Sequence, residues 1–198
     1  MKLTNIQIDA LKELGNIGAG HAATALASLI HREITIDIPQ TNIVNRSNLH
    51  ASLKDKEFFA VEFVILGEIP GKNVFFVEKS EGISMVSRLM TGKNDVVTQL
   101  DENGISTIKE IGNILTANYL GAMGDMINLL MIPSVPTFFS GTLEDIFIDI
   151  FETEINISEE IFIIKTNLSD KAREYTPYFI LAPFNNGLKV ILDKLGLV

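Results

Sequence analysis

The hexapeptide Lys12-Glu13-Leu14-Gly15-Asn16-Ile17 returns 97 residues later as Lys109-Glu110-Ile111-Gly112-Asn113-Ile114, identical at five of six positions. The same spacing carries Ile8 to Ile105, Ala25 to Ala122, Ile30 to Ile127 and Pro39 to Pro136, and sets Thr4 against Asp101. An offset close to half of the 198 residues describes a module used twice, not a solenoid of many short repeats. The expected organisation is one domain, 1–198, built from repeats of about 1–97 and 98–198.

Each half opens with a long helix. Thr4-Asn5-Ile6-Gln7 has the form of a capping box, and Ile8, Leu11, Leu14, Ile17, Ala22, Ala25, Leu26 and Leu29 follow at helical spacing to about Ile30. The second copy runs from Asp101, also a good N-cap, to about Leu130, with Ile105, Ile108, Ile111 and Ile114 as its apolar stripe. Gly15, Gly18 and Gly20 weaken a helix by about 1 kcal/mol each relative to Ala. Something must want small residues there, either a closely packed neighbour or a docking partner.

Strands are expected over Glu33–Pro39, Phe58–Leu66 and Val74–Val77, the last two separated by the turn signal Pro70-Gly71-Lys72-Asn73. A short helix over Glu81–Met90, ended by Gly92, closes the first half. The second half repeats this order with strands near Met131–Thr137, Ile161–Thr166 and Tyr178–Phe184 and a helix over Leu188–Leu195. An insertion of about eight residues is expected within Ser140–Ile155, with Ile146–Phe151 as an extra strand that leaves Phe147 and Phe151 on one face as a candidate partner surface. The pairs Phe58-Phe59, Phe75-Phe76 and Phe138-Phe139 read as sheet core. Together these elements predict an α+β fold: a pseudo-two-fold, mostly antiparallel sheet of about six strands, two long helices on one face and shorter peripheral helices.

Composition removes several functions. Lys plus Arg number 16 against 25 Asp plus Glu, a net charge of −9, which leaves no basic stripe for nucleic-acid phosphates and nothing to hold an anionic membrane. No cysteine is present, so thiol nucleophiles, disulfides and cysteine metal sites are excluded together. The first residues, Met1-Lys2-Leu3-Thr4, meet polar Asn5, Gln7 and Asp9 and do not read as a signal peptide. No apolar run reaches the ~18 residues of a membrane span. A cytoplasmic location is expected. His21 and His31 lie ten apart without a carboxylate in ligand pattern, and His50 sits among polar residues, so no metal or other cofactor of the protein's own is expected. Gly15-Asn16-Ile17-Gly18-Ala19-Gly20 superficially resembles a nucleotide-binding glycine loop, but it continues a helix where that motif must follow a strand. The carboxylates Glu152, Glu154, Glu159 and Glu160 read as a solvated acidic surface.

The chemistry lies in the repeated polar line. Glu and Asn three apart share a helix face at about 5–6 Å between Cβ atoms, and Asp9 and Ser106 stand one turn earlier in the two copies. A recent duplication would leave the whole of both halves alike. Divergence that spares this one patch points to function. Asn is neither base nor nucleophile, but its amide can hold a water or support an oxyanion, the role a carboxamide fills in phosphoryl transfer. The neighbouring Glu suits pairing with a cation on a partner.

The doubled pattern Asp9/Ser106, three residues, Glu13/Glu110, two residues, Asn16/Asn113, twenty-two residues, Pro39/Pro136 resembles the CheC/CheX/FliY family of chemotaxis phosphatases, over essentially the whole chain and in a two-site, CheC-like layout. No further domain is expected to flank the two copies, which disfavours the larger flagellar-switch relative. The resemblance implies hydrolysis of the aspartyl phosphate on the response regulator CheY. It makes Asn16 and Asn113 the water-orienting residues and Glu13 and Glu110 the contacts to a CheY lysine, with Asp9, Ser106, Pro39 and Pro136 as supporting motif positions. It places Mg2+ on the response regulator. It also implies the receptor deamidase CheD as a second partner. The competing expectation is a non-catalytic adaptor that sequesters phosphorylated regulator or regulates CheD. A pure adaptor would not need a water-orienting amide. A monomer is expected, since the duplication itself supplies the two-fold arrangement that a single-copy relative would need a dimer to build.

Overall fold

Thr4 begins the first helix with a reciprocal cap: its amide donates to Gln7 Oε1 at 2.8 Å and the Gln7 amide donates to Thr4 Oγ1 at 3.3 Å. Asp101 caps the second long helix, its Oδ1 accepting from the Gly104 amide at 2.8 Å. The computed structural model describes residues 4–30, 33, 35–45, 56–91, 99–152, 157, 160–170 and 173–197. In chain order these form α1 (Asn5–Ile30), β1 (Thr35–Asn45), β2 (Glu57–Gly67), β3 (Gly71–Glu78) and α2 (Lys79–Thr91), then α3 (Glu102–Ile127), β4 (Met131–Pro133), β5 (Thr137–Thr142), α4 (Leu143–Phe147), β6 (Glu160–Asp170), β7 (Arg173–Tyr175), β8 (Tyr178–Pro183) and α5 (Gly187–Lys194). α1 and α3 each span 26 residues. α3 stops short of the expected Leu130 because Asn128 takes the left-handed conformation (φ 53°) and the Leu129 amide turns back to the Gly124 carbonyl at 2.9 Å, a C-terminal arrangement that Asn tolerates.

All eight strands join one antiparallel sheet in the order β1-β6-β8-β3-β2-β4, with β5 also on β2 and β7 on β6. Exchanging the halves sends β1 to β4 and β5, β2 to β6 and β3 to β8, and the order then reads the same from the other end. Each half's first strand pairs with the second strand of the other half: β1 with β6, and β4 and β5 with β2. The prolines mark matching places in this scheme. The β1–β6 register shifts between Asp37 and Gln40, where Pro39 lies. Pro136 falls in the gap between β4 and β5. Pro39 is on an outermost strand and Pro136 in a break between two strands, so neither missing N–H removes a central ladder bond. At the second break Ser134 serves the opposite strand: its amide donates to the Val64 carbonyl at 2.8 Å and its Oγ accepts from the Val64 amide at 2.9 Å. This break is why the expected strand Met131–Thr137 appears as two, and with β7 it raises six strands to eight.

The three Phe doublets explain how the sheet holds two cores. Adjacent residues on a strand point to opposite faces, so each doublet feeds one ring to each side. Phe59, Phe75 and Phe138 join the core beneath α1, α3, α2 and α5, which contribute Leu11, Leu14, Leu26, Ile108, Ile111, Leu115, Met85 and Ile191. Phe58, Phe76 and Phe139 join the other core, under α4 and the turn that follows it. Val61 and Ala60, neighbours on β2, each lie between flanking rings in register: Phe75 and Phe138 on one face, Phe76 and Phe139 on the other.

The segment Ile146–Phe151 is not the expected strand. Thr142 caps α4, its Oγ1 accepting from the Asp145 amide at 3.2 Å, and the helix widens into a single π turn over Ile148–Glu152. Ile146, Phe147, Ile150 and Phe151 are buried while Ile148 is 42% exposed, a helical and not a strand pattern. Phe147 and Phe151 pack at 4.7 Å between ring centroids inside the second core, so they form no partner surface. Lys72, beneath this turn, donates to the Ile150 carbonyl at 2.6 Å and pairs with Glu62 at 2.7 Å. Gly92, expected to end α2, lies outside the described residues. Among the described residues no helix is long and apolar enough to cross a membrane.

Candidate active site

Burying Leu11, Leu14, Gly15, Gly18, Ala22 and Leu26 against the sheet and α3 turns the opposite side of α1 outward. Asp9, Glu13, Asn16 and Gly20 then form one line along the helix, at spacings of four, three and four, and all are exposed. The matching line on α3 is Ser106, Glu110, Asn113 and Ala117. Ser106 and Glu110 are exposed, whereas Asn113 and Ala117 are half-buried. The structure therefore brings each Glu next to its Asn, with the first pair more open than the second. Pro39, within β1, and Pro136, between β4 and β5, lie off these lines.

The lines differ in charge as well. Lys12 Nζ approaches Asp9 Oδ1 at 4.0 Å, both groups exposed, a pair of small energetic weight. Ser106 offers Lys109 no such charge. Among the described residues, no hydrogen bond or ion pair engages the side chains of Glu13, Asn16, Glu110 or Asn113. A free carboxamide one turn from a free carboxylate is available to a group brought from outside. The amide can accept from and donate to a water, and the carboxylate can meet a cation.

Other candidates separate from this site. His21 is exposed on α1, and His31 and His50 lie outside the described residues. Among the described residues no group of three or more His, Asp or Glu is placed to hold a metal ion. Of the acidic cluster, Glu152 ends the π turn and Glu160 begins β6, while Glu154 and Glu159 lie outside the described residues.

The glycines of the long helices divide in two. A Cβ on Gly18 would lie 2.5 Å from Tyr119 Cδ2, and one on Gly112 would lie 3.3 Å from Val61 Cβ. Packing between α1 and α3 requires Gly18, while Gly112 sits in tight contact between α3 and the sheet. A Cβ on Gly20 would meet nothing within 4 Å. Residue spacing could flag all of these positions but could not sort them.

The chain is similar to several known proteins. The model of the CheC-like family matches residues 6–43 and 104–140, one stretch around each Glu–Asn pair. The CheY-P phosphatase CheC of Bacillus subtilis is 25% identical over 204 residues, covering 96% of this chain and 94% of that protein. Among solved structures, FliY of Thermotoga maritima superposes with a TM-score of 0.83 at 20% identity, covering 99% of this chain and 98% of the other. A chain of the CheX–CheY–BeF3–Mg2+ complex of Borrelia burgdorferi gives a TM-score of 0.54 at 14% identity, covering 83% and 94%. Both copies of the polar line fall inside the stretches that the CheC-like model matches, and the likeness to the Bacillus subtilis protein runs along nearly the full length of both chains.

Proposed function

We propose that this protein hydrolyses the aspartyl phosphate of a CheY-type response regulator, using Glu13 with Asn16 on α1 and Glu110 with Asn113 on α3. One observation carries the reading: each Glu–Asn pair stands on the outward side of its helix without a partner among the described residues, inside a stretch the family model matches. In this reading Glu pairs with a lysine of the regulator and sets the register in which Asn enters. The Asn amide orients a water whose oxygen attacks phosphorus as the bond from the aspartyl oxygen to phosphorus breaks. The products are free aspartate and inorganic phosphate. A loose transition state makes positioning, not a strong base, the main requirement, which a neutral carboxamide can meet. Mg2+ belongs in this proposal to the regulator, as does the rest of the phosphate-binding site.

Residues 1–198 act in the same proposal as one domain of two repeats. The interleaved strand order supports this, because neither half holds its own three strands together. A cytoplasmic monomer that also binds the deamidase CheD completes the proposal, as the resemblance of the doubled motif implies. The decisive experiment times phosphate loss from labelled CheY with and without the protein. An unchanged rate at excess protein would overturn the reading in favour of an adaptor.

A further inference from the structure

Gly20 is the one glycine on the Glu–Asn line, and the fold gives no reason for it. Glycine in a helix interior is costly relative to alanine. Gly18 and Gly112 answer that cost with close neighbours, Tyr119 in one case and Val61 with Phe75 in the other. Gly20 has none: it is exposed, its φ is not left-handed, and a Cβ there would project into open space. It lies one turn beyond Asn16 and two beyond Glu13, on the same side of α1, where residues four apart are surface neighbours. We infer that Gly20 is a docking determinant of the first site, the point where a main-chain segment of the phosphorylated regulator comes against the α1 backbone so that Asn16 can reach the phosphoryl group. The inference rests on the function proposed above. The matching position on α3 is Ala117, already half-buried, so the close approach is a property of the first site and the two sites dock the regulator differently.

The test uses the full chain carrying Glu110→Lys and Asn113→Ala, which confines both docking and turnover to the first site. Into it are placed Gly20→Ala, Gly20→Leu and, as a control, Gly121→Leu, since Gly121 is equally exposed and open but lies on the silenced helix. Steady-state dephosphorylation of CheY gives KM and kcat, and direct titration with phosphorylated CheY gives Kd. Gly20→Leu should raise KM and Kd at least tenfold with kcat within twofold, Gly20→Ala should raise them less, and Gly121→Leu should leave them within twofold. Both Gly20 variants should melt at or above the parent temperature, because alanine and leucine are better helix formers. The inference is overturned if Gly20→Leu leaves Kd unchanged, if Gly121→Leu matches its effect, or if Gly20→Ala melts lower, which would make the glycine a demand of the fold. Absence of phosphatase activity in the unmutated chain would instead overturn the proposed function, and the Kd comparison would still decide the role of Gly20.

Discussion

Gly18 of α1 lies against the ring of Tyr119 of α3 so closely that a Cβ at position 18 would sit 2.5 Å from Tyr119 Cδ2. The ring is itself stacked on Phe179 with centroids 6.0 Å apart. Burial of the whole Tyr119 side chain also holds its phenol above the ordinary tyrosine range. Gly18→Ala should therefore destabilise the protein by about 1–3 kcal/mol, the usual cost of overpacking, despite the better helix propensity of alanine. Urea unfolding checks this. A gain in stability would show that the two helices separate easily.

The carboxamide mechanism predicts a large loss confined to chemistry. Asn16→Ala together with Asn113→Ala should reduce stimulated dephosphorylation at least about a hundredfold, the scale of losing one well-positioned group. Circular dichroism and melting should be unchanged, since neither side chain has a partner among the described residues. Each single variant should keep activity through the other helix. Wild-type turnover in the double variant would exclude a role for the amide.

The carboxylates should act through charge. Glu13→Gln with Glu110→Gln should weaken association with the regulator a few-fold, in line with the ~0.2–1 kcal/mol of an exposed pair. The difference from wild type should shrink at about 0.5 M salt, where screening shortens the reach of surface charge. A fall in the saturated rate with unchanged affinity would instead assign Glu to positioning at the reacting centre.

On the far face of the sheet, Lys72 joins Glu62 to the Ile150 carbonyl, with only 11% and 12% of the two charged side chains exposed. Lys72→Ala should cost about 3 kcal/mol, because it leaves a nearly buried carboxylate without its cation. The amides of 143–152 should exchange faster with solvent, which hydrogen-exchange measurements would show. If exchange rises nowhere in that segment, the lysine does not hold the π turn in place.

Much of the architecture was legible in the sequence because it is local. The caps at Thr4 and Asp101 depend on residues three apart, the stripes of Leu11, Leu14, Ile108 and Ile111 on helical period, and the matched prolines on φ and a missing donor. The Glu–Asn lines were legible for the same reason, since i and i+3 on one helix face each other whatever surrounds them. Even the misread segment carried a local signal: Thr142 stands three residues before Asp145, an N-cap spacing, ahead of an apolar run that periodicity alone cannot assign to helix or strand.

What only the tertiary structure decided concerns groups far apart in the chain. Nothing in β1 names β6 as its partner, because the paired residues lie more than a hundred positions apart in the chain. Nothing in Gly18 or Gly20 tells them apart, yet one meets Tyr119 about a hundred residues away and the other meets solvent. Propensity and period are properties of a few neighbouring residues. Packing, burial and exposure depend on the whole chain, and these decided which glycine serves the fold and which of the two Asn residues stands more open.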